Sequence, residues 1–300
     1  MNLSKTLAAT ISILAATSAV ALAQPEGGAT GTDLTTGETT VNTTGEAAVD
    51  PNAPQEANEM GPAAAISPSF TLGTGHVVIT GSTVNINLSK DQVGKPVSFA
   101  PSVWIGLSDK VTMGVTHGGG TTQWTPRPAT GAGICISSEE DGCARVYDNV
   151  GFDALVGVSA GKLTAAVHPG LDALSLDPVI LNLRLGILAR YELGEKLALV
   201  VDPRIGVGLN KRDAGNKEYL DVPAWLWLTL SPKLGVYGSI GLRGQLDGFG
   251  DSYVIPVGVG ATFAVSEKIS IGGDFYFSNL IGKGHTADAR ELGIRVSYAF

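Results

Sequence analysis

The chain has few charged residues, only two cysteines and, beyond its N-terminus, no apolar run of membrane-helix length. Charged residues make up 16% of the sequence, whereas soluble domains average about 25%. A membrane helix needs about 18 consecutive apolar residues, and none of the sequence after the N-terminus supplies them, which argues against a helical membrane protein. A net charge of −8 without a basic cluster disfavours nucleic-acid binding.

The N-terminus has the features of an export signal. Lys5 precedes an apolar run, and Ala21-Leu22-Ala23 fits the small-x-small cleavage rule. We predict a signal peptide over residues 1–23, with an anchoring helix as the alternative. Export places cysteines in an oxidising compartment, so we predict a disulfide between Cys135 and Cys143.

Residues 24–67 are rich in Thr, Gly, Ala and Pro, and they lack aromatic residues and any hydrophobic period. Every charged residue among them is acidic. Such a segment cannot bury enough apolar surface to offset the entropy lost on ordering. We therefore predict a disordered acidic leader over residues 24–67, followed by one folded domain over residues 68–300.

A short turn pattern recurs five times in the predicted domain. Each copy places a lysine between two runs of alternating polarity: "GLSDKVTMG", "GVSAGKLTAA", "YELGEKLALV", "LTLSPKLGVY" and "FAVSEKISIG". Alternation on both sides of a tight turn is a hairpin pattern. Six longer polar connections, one of them "HPGLDALSLDP" over residues 168–178, separate the hairpins. About twelve strands, with short turns at one rim and longer loops at the other, are the pattern of outer-membrane barrels.

The distribution of lysine indicates which face of each strand points outward. No lysine lies inside a proposed strand. The apolar face carries about five residues per strand, which suits the 9–11 residues that cross a bilayer. The other face carries Gly, Ser, Asn and Ala with scattered Arg and Asp, which is a poor solvent face but a plausible lumen. We predict an all-β, transmembrane, antiparallel up-and-down β-barrel.

The final strand alternates to the last residue of the chain. We predict a lipid-facing set of Leu292, Ile294, Val296, Tyr298 and Phe300 opposite a lumen-facing set of Gly293, Arg295, Ser297 and Ala299. The first and last strands must pair, because unpaired backbone groups in lipid are costly.

This C-terminus resembles the terminal signature of Gram-negative outer-membrane β-barrel proteins, with Tyr298 and Phe300 as the assembly signal. The resemblance implies an outer-membrane location and recognition by the barrel-assembly machinery. Hairpins such as "GLSDKVTMGV" also resemble those of a loose group of outer-membrane transporters proposed for hydrophobic compounds.

Charged residues on the polar strand faces are the candidate lumen-lining residues. They are Asp153, Arg184, Asp202, Arg204, Arg243, Asp274 and Arg295. A planar guanidinium can bridge neighbouring carboxylates in a confined space. One interpretation is a charged constriction that selects solutes, and the other is a network that neutralises and fills a narrow interior.

The sequence does not decide whether two tryptophans point into the lumen or outward. Strict alternation in "VPAWLWLTL" places Trp225 and Trp227 in the lumen, whereas interfacial aromatic girdles would place them outside. A bulge near Pro223 would switch the two faces.

Catalytic and metal sites are not predicted. The acidic residues between the cysteines lack EF-hand spacing, and we predict neither a metal nor a cofactor. The four histidines are near predicted strand ends or loops, where solvated side chains are expected; they are His76, His117, His168 and His285.

The leading hypothesis is a small passive pore or transporter in the outer membrane. A non-conducting structural or surface-interaction barrel is the alternative, and a barrel enzyme acting on lipid is the third. The expected partners are outer-membrane lipid, the assembly machinery and small solutes, without nucleic acid. The sequence leaves the oligomeric state open.

Overall fold

The computed structural model describes residues 69–80, 84–88, 97–118, 121–128, 132–135, 145–160 and 163–300. The predicted signal peptide and acidic leader lie outside these ranges. Within them, no helix has both the length and the apolar character to cross a membrane. The strand segments are β1 (Val77–Thr80), β2 (Val84–Asn87), β3 (Val97–Phe99), β4 (Ser102–Ser108), β5 (Val111–Thr116), β6 (Gly133–Cys135), β7 (Tyr147–Asp148), β8 (Val150–Ala160), β9 (Leu163–Leu176), β10 (Val179–Gly194), β11 (Leu197–Val201), β12 (Arg204–Gly208), β13 (Tyr219–Ser231), β14 (Leu234–Gln245), β15 (Val257–Ala264), β16 (Ile269–Phe277) and β17 (Arg290–Ala299). Two short helical elements, a 3₁₀ turn at Arg212–Ala214 and α1 at Phe249–Ser252, lie in connections between strands.

These segments form a closed antiparallel barrel of twelve strands, as the sequence predicted. Some strands are interrupted: β1 and β2 both pair with β17, and β11 and β12 both pair with β10 and β13. Closure comes from the pairing of β1 with β17, in which Ile79 faces Tyr298 and Val77 accepts a hydrogen bond from the Phe300 amide. The barrel therefore has no free edge at this seam, which a bilayer requires.

The connection predicted over residues 168–178 is wrong. Those residues extend β9, which pairs with β10 from Leu163–Tyr191 to Leu176–Val179, and only a tight turn at Asp177-Pro178 joins the two strands. Pro169 lies where the β8–β9 pairing is interrupted, between the pairs Asp153–Gly170 and Val156–Val167. A proline is tolerated there because no ladder hydrogen bond needs its missing N–H.

The barrel exterior is apolar, and alternate residues of each strand point to opposite faces. In β10, Leu183, Leu185 and Ile187 are exposed, whereas Asn182 and Arg184 are buried. Every described lysine lies in a turn or loop. An apolar outer band over a polar interior is the arrangement that lipid selects in barrels.

Inward glycines give large inward side chains room to lie along the wall. A β-carbon on Gly170 would be 2.5 Å from Asp153 Oδ1 and 2.7 Å from Arg184 Nη2. One on Gly206 would overlap the ring of Tyr219. The glycine content of 40 residues thus serves the packing of the lumen as well as the turns.

Candidate functional site in the barrel lumen

The lumen contains three layers between its two rims. The short-turn rim is the end that carries the tight hairpins, and the long-loop rim is the opposite end. From the short-turn rim, an apolar layer is followed by an ionic layer and then by an open vestibule beneath the long loops.

The apolar layer is built partly from residues outside the strands. Phe70 and Leu72 precede β1, and Trp124 belongs to residues 121–128, the lumen loop between β5 and β6. The Phe70 and Trp124 rings meet edge to face with centroids 5.4 Å apart. They pack with inward strand residues: Val78, Trp104, Leu155, Ala166, Leu188, Val200, Trp225, Trp227 and Tyr237.

Two indole N–H groups hold the lumen loop. Trp225 Nε1 donates to the Pro126 carbonyl at 3.0 Å, and Trp227 Nε1 donates to the Trp124 carbonyl at 3.2 Å. Both tryptophans therefore face the lumen, as strict alternation requires. The β13–β14 pairing runs unbroken from Tyr219 to Thr229, so no bulge at Pro223 switches the faces.

The segment before β1 enters the lumen at the short-turn rim. The Leu72 amide donates to Thr112 Oγ1 and Thr71 Oγ1 donates to the Asp109 carbonyl, each at 2.7 Å. These contacts anchor Phe70 and Leu72 beneath the β4–β5 turn. We call residues 69–73 the N-terminal plug.

The ionic layer is centred on Arg184. Its Nη2 donates to Asp153 Oδ1 at 2.7 Å and to Asp172 Oδ1 at 3.0 Å, while its Nε donates to Asp172 Oδ2. Arg204 Nη2 donates to Asp202 Oδ2. These five side chains are at most 2% exposed.

His168 links the two arginine pairs. Its Nε2 lies 3.3 Å from Asp153 Oδ1 and its Nδ1 lies 3.3 Å from Asp202 Oδ1. With His168 as the imidazolium, three carboxylates meet three cations, and the layer is neutral. Buried charges persist only when they are paired in this way, so these side chains form a paired network rather than a free charge for a solute.

The seven charged candidates fall into three places. Asp153, Arg184, Asp202 and Arg204 form the ionic layer. Asp274 and Arg295 pair on β16 and β17, where the Tyr237 hydroxyl accepts from Arg295 Nη2 at 3.1 Å. Arg243 stands apart, in the vestibule.

The sequence did not place Asp172, His168 or Asp221 in the lumen. The first two lie on the inward face of β9, which the expected loop over residues 168–178 concealed. Asp221 shares the inward face of β13 with Trp225, so a period of two continued through Pro223 would have found it. The expectation of a solvated histidine is wrong for His168, which is fully buried.

His117 is also buried, contrary to the expectation of a solvated loop side chain. Its Nε2 lies 2.8 Å from the Tyr147 hydroxyl, and its Nδ1 contacts the Pro101 carbonyl. Cys135 ends β6, but Cys143 lies outside the described residues, so their disulfide stays a prediction. Among the described residues, no group of three or more His, Cys, Asp or Glu side chains is arranged so that it could hold a metal ion.

The vestibule is a cavity of about 430 Å³ at the long-loop end of the lumen. Asp221 lies in its wall, where it accepts from Arg127 Nη1 at 3.0 Å and from Arg243 Nη2 at 3.5 Å. Tyr219 and Tyr276 also line the cavity. The ionic layer forms its floor through Asp172.

No protein-family model matches this chain, and no curated protein matches it. Among solved structures it is similar to the KdgM porin in complex with disordered oligogalacturonate, at 8% identity over 75% of this chain and 99% of that one, with a TM-score of 0.50. It is also similar to the NanC porin, at 7% identity over 73% and 98% of the two chains, with a TM-score of 0.49. An outer membrane channel from Pseudomonas putida F1 matches at 14% identity over 77% and 97%, with a TM-score of 0.43. At these identities the likeness concerns the fold alone: the chain has a porin-like fold, a closed β-barrel of twelve strands with an apolar exterior.

Proposed function

We propose that this barrel is a gated outer-membrane pore or transporter for small solutes, closed in the conformation described here. The observation that carries the proposal is the contact between Phe70 and Trp124 inside the lumen. Neither residue belongs to a barrel strand, so both can leave the lumen without breaking the hydrogen-bonded wall.

The segments that carry Phe70 and Trp124 are held by fewer backbone hydrogen bonds than the barrel strands are, which supports a movable closing element. The apolar layer depends on side-chain packing and on a few hydrogen bonds, such as those from Trp225 and Trp227 to the lumen loop. The barrel wall instead carries continuous backbone ladders. Elements with few backbone bonds open at lower free energy than sheet strands do.

The similar solved structures are porins and channels, which supports solute passage as the class of function. The oligogalacturonate belongs to the KdgM structure alone. A permanently open passive pore is not favoured, because apolar side chains fill the short-turn half of the lumen.

Single-channel recording in planar bilayers tests the proposal. We expect low, infrequent conductance from the mature protein and at least a severalfold larger open fraction from the Phe70→Ala, Leu72→Ala double variant, because the double change removes the apolar part of the N-terminal plug. Phe152→Ala is the matched control, since Phe152 is 56% exposed on the outer face. Equal conductance in the plug variant and the control would contradict gating by the plug.

The packed lumen also favours the second candidate, a non-conducting structural or surface-interaction barrel. Silent bilayers with wild type and both variants would select it. Lipid hydrolysis is the third hypothesis, and its test is loss of hydrolysis in His117→Ala. Among the described residues, His117 contacts a tyrosine hydroxyl and a backbone carbonyl rather than an acid.

A further inference from the structure

We propose that Asp221 holds the lumen loop in the closed conformation through Arg127, and that Arg243 replaces Arg127 at the same carboxylate when the loop leaves. The inference deepens the gated pore proposed above and rests on it, because it names the contact that regulates the closing element. It concerns the lumen loop, residues 121–128, whereas the N-terminal plug enters from the opposite rim.

The lumen loop connects the apolar layer to the vestibule. Trp124 packs against Phe70 of the N-terminal plug, and Arg127, three positions later, lines the cavity. Arg127 is the one charged residue in the sequence of this loop, and it donates to Asp221 on β13. A loop that withdraws from the lumen must therefore break a charged contact with the wall as well as apolar packing.

Two arginines compete for one oxygen atom of Asp221. Arg127 Nη1 lies 3.0 Å from Asp221 Oδ2, and Arg243 Nη2 lies 3.5 Å from the same atom. Asp221 and Arg243 are direct cross-strand partners on β13 and β14, so Arg243 stays beside the carboxylate whatever the loop does. Arg127 is 94 positions away in sequence and reaches the carboxylate only while the loop lies in the lumen.

Burial favours the arginine of the loop in the closed conformation. The side chains of Arg127 and Asp221 are 10% and 5% exposed, whereas that of Arg243 is 49% exposed. Attraction between charges is stronger where water is excluded, so the shorter and more buried contact holds the loop. The half-exposed Arg243 has room to approach Oδ2 once Arg127 has gone.

This exchange removes a large cost of opening. A buried carboxylate that loses its cation is strongly destabilised, and Asp221 would be in that position if Arg127 were its only partner. Arg204, which faces Asp221 across β12, donates instead to Asp202 Oδ2. Arg243 is therefore the replacement cation, and the two arginines have opposite effects on opening although both contact one carboxylate.

Thiol labelling of the folded mature protein in detergent micelles tests these opposite effects. Thr125 is fully buried in the lumen loop, so a Thr125→Cys variant reports withdrawal of the loop through its rate of reaction with a water-soluble maleimide. In this parent we expect at least a fivefold faster rate after Arg127→Gln and at least a threefold slower rate after Arg243→Gln. Rates that shift in the same direction, or a rate that stays at the parent value in either variant, would overturn the exchange.

Two further variants assign the effects to Asp221. Asp221→Asn keeps the size of the side chain and removes the shared charge, and we expect a rate as fast as that of Arg127→Gln. Adding Arg243→Gln to Asp221→Asn should then leave the rate unchanged, and a slower rate would contradict exchange at this carboxylate. Arg212→Gln is the matched control, because Arg212 pairs with Glu218 in an exposed loop. Heat-modifiable gel migration reports the folding of each variant.

The labelling and conductance measurements can fail separately. Opposite effects of the two arginines on labelling, without conductance in any variant, would remove the pore and leave the exchange at Asp221. Conductance through the plug variant, with labelling that neither arginine changes, would leave the pore and remove the exchange.

Discussion

The two halves of the lumen share the same strands, but one half is packed with apolar side chains and the other encloses an open cavity. Near the short-turn rim, Trp225 and Trp227 are nearly fully buried against residues from outside the strands. Near the long-loop rim, Arg243 and the two tyrosines of the vestibule border open space. The same strands, β13 and β14, contribute to both halves. The number of strands therefore does not decide whether a barrel of this size is filled or open, and the side chains inserted from outside the strands decide which half is packed.

The ionic layer lies between the two halves of the lumen. Its arginines and aspartates are buried in contact with one another, whereas the Arg243 side chain in the vestibule is half exposed. The charged side chains of the lumen therefore fall into two groups: those that are buried and paired, and those that border the open cavity. Three sets of substitutions test this contrast between buried and exposed side chains.

Arg184→Leu should cause the largest loss of stability. It removes the cation between Asp153 and Asp172 and leaves two buried carboxylates without their partner. Breaking a buried pair from one side costs about 3–5 kcal/mol. Guanidinium titration of the protein in lipid vesicles measures the free energy of unfolding. Arg243→Leu, half exposed in the vestibule, is the control and should cost far less, so an equal cost for the two would remove the contrast between the layers.

Gly206→Ala should have a smaller effect on the same free energy. The added β-carbon would overlap the ring of Tyr219, and overpacking of this kind costs about 1–3 kcal/mol. Gly238→Ala is the matched control, because a β-carbon there meets nothing within 4 Å. If Gly206→Ala were as stable as Gly238→Ala, the inward glycines would not be needed for large side chains to lie along the wall.

The exposed loop pairs should give the smallest effect, seen only as a pH dependence. The hydrogen bond from Arg212 lowers the pKa of Glu218, and the hydrogen bond from Lys217 lowers the pKa of Asp247. A lowered folded-state pKa adds stability above the unfolded pKa, and this stability is lost as pH falls through the folded pKa. Both carboxylates are exposed, so solvent screens the gain.

Melting temperatures of wild type and the Glu218→Gln, Asp247→Asn double variant, compared between pH 7 and pH 3, measure this contribution. We expect the double variant to melt at a slightly lower temperature than wild type at pH 7 and at the same temperature at pH 3. A difference in melting temperature that grows on acidification would contradict the stabilising effect assigned to the two pairs.

Much of the wall followed from the sequence. The alternation that places Arg184 inward and Leu185 outward is a property of each strand alone. The facing of Trp225 and Trp227 followed from the same rule, once no bulge interrupted β13. The final strand paired with the first as the need for closure predicted. The prediction of a connection over residues 168–178 failed although the alternation continues through Pro169, with His168 and Asp172 buried and Leu171 exposed, and the inward position of Asp172 was missed with it.

The contents of the lumen could not be predicted in this way. Phe70 and Trp124 belong to irregular segments, where no period marks a facing. The hydrogen bond from Trp225 to Pro126 joins residues 99 positions apart, and no local pattern records such a pairing. Strand chemistry, which depends on neighbours in sequence, determined a membrane barrel with a polar interior. Cross-strand register and the entry of irregular segments into the lumen determine which charges are paired, which half of the lumen is packed and which arginine reaches the cavity. None of these can be read from a single strand.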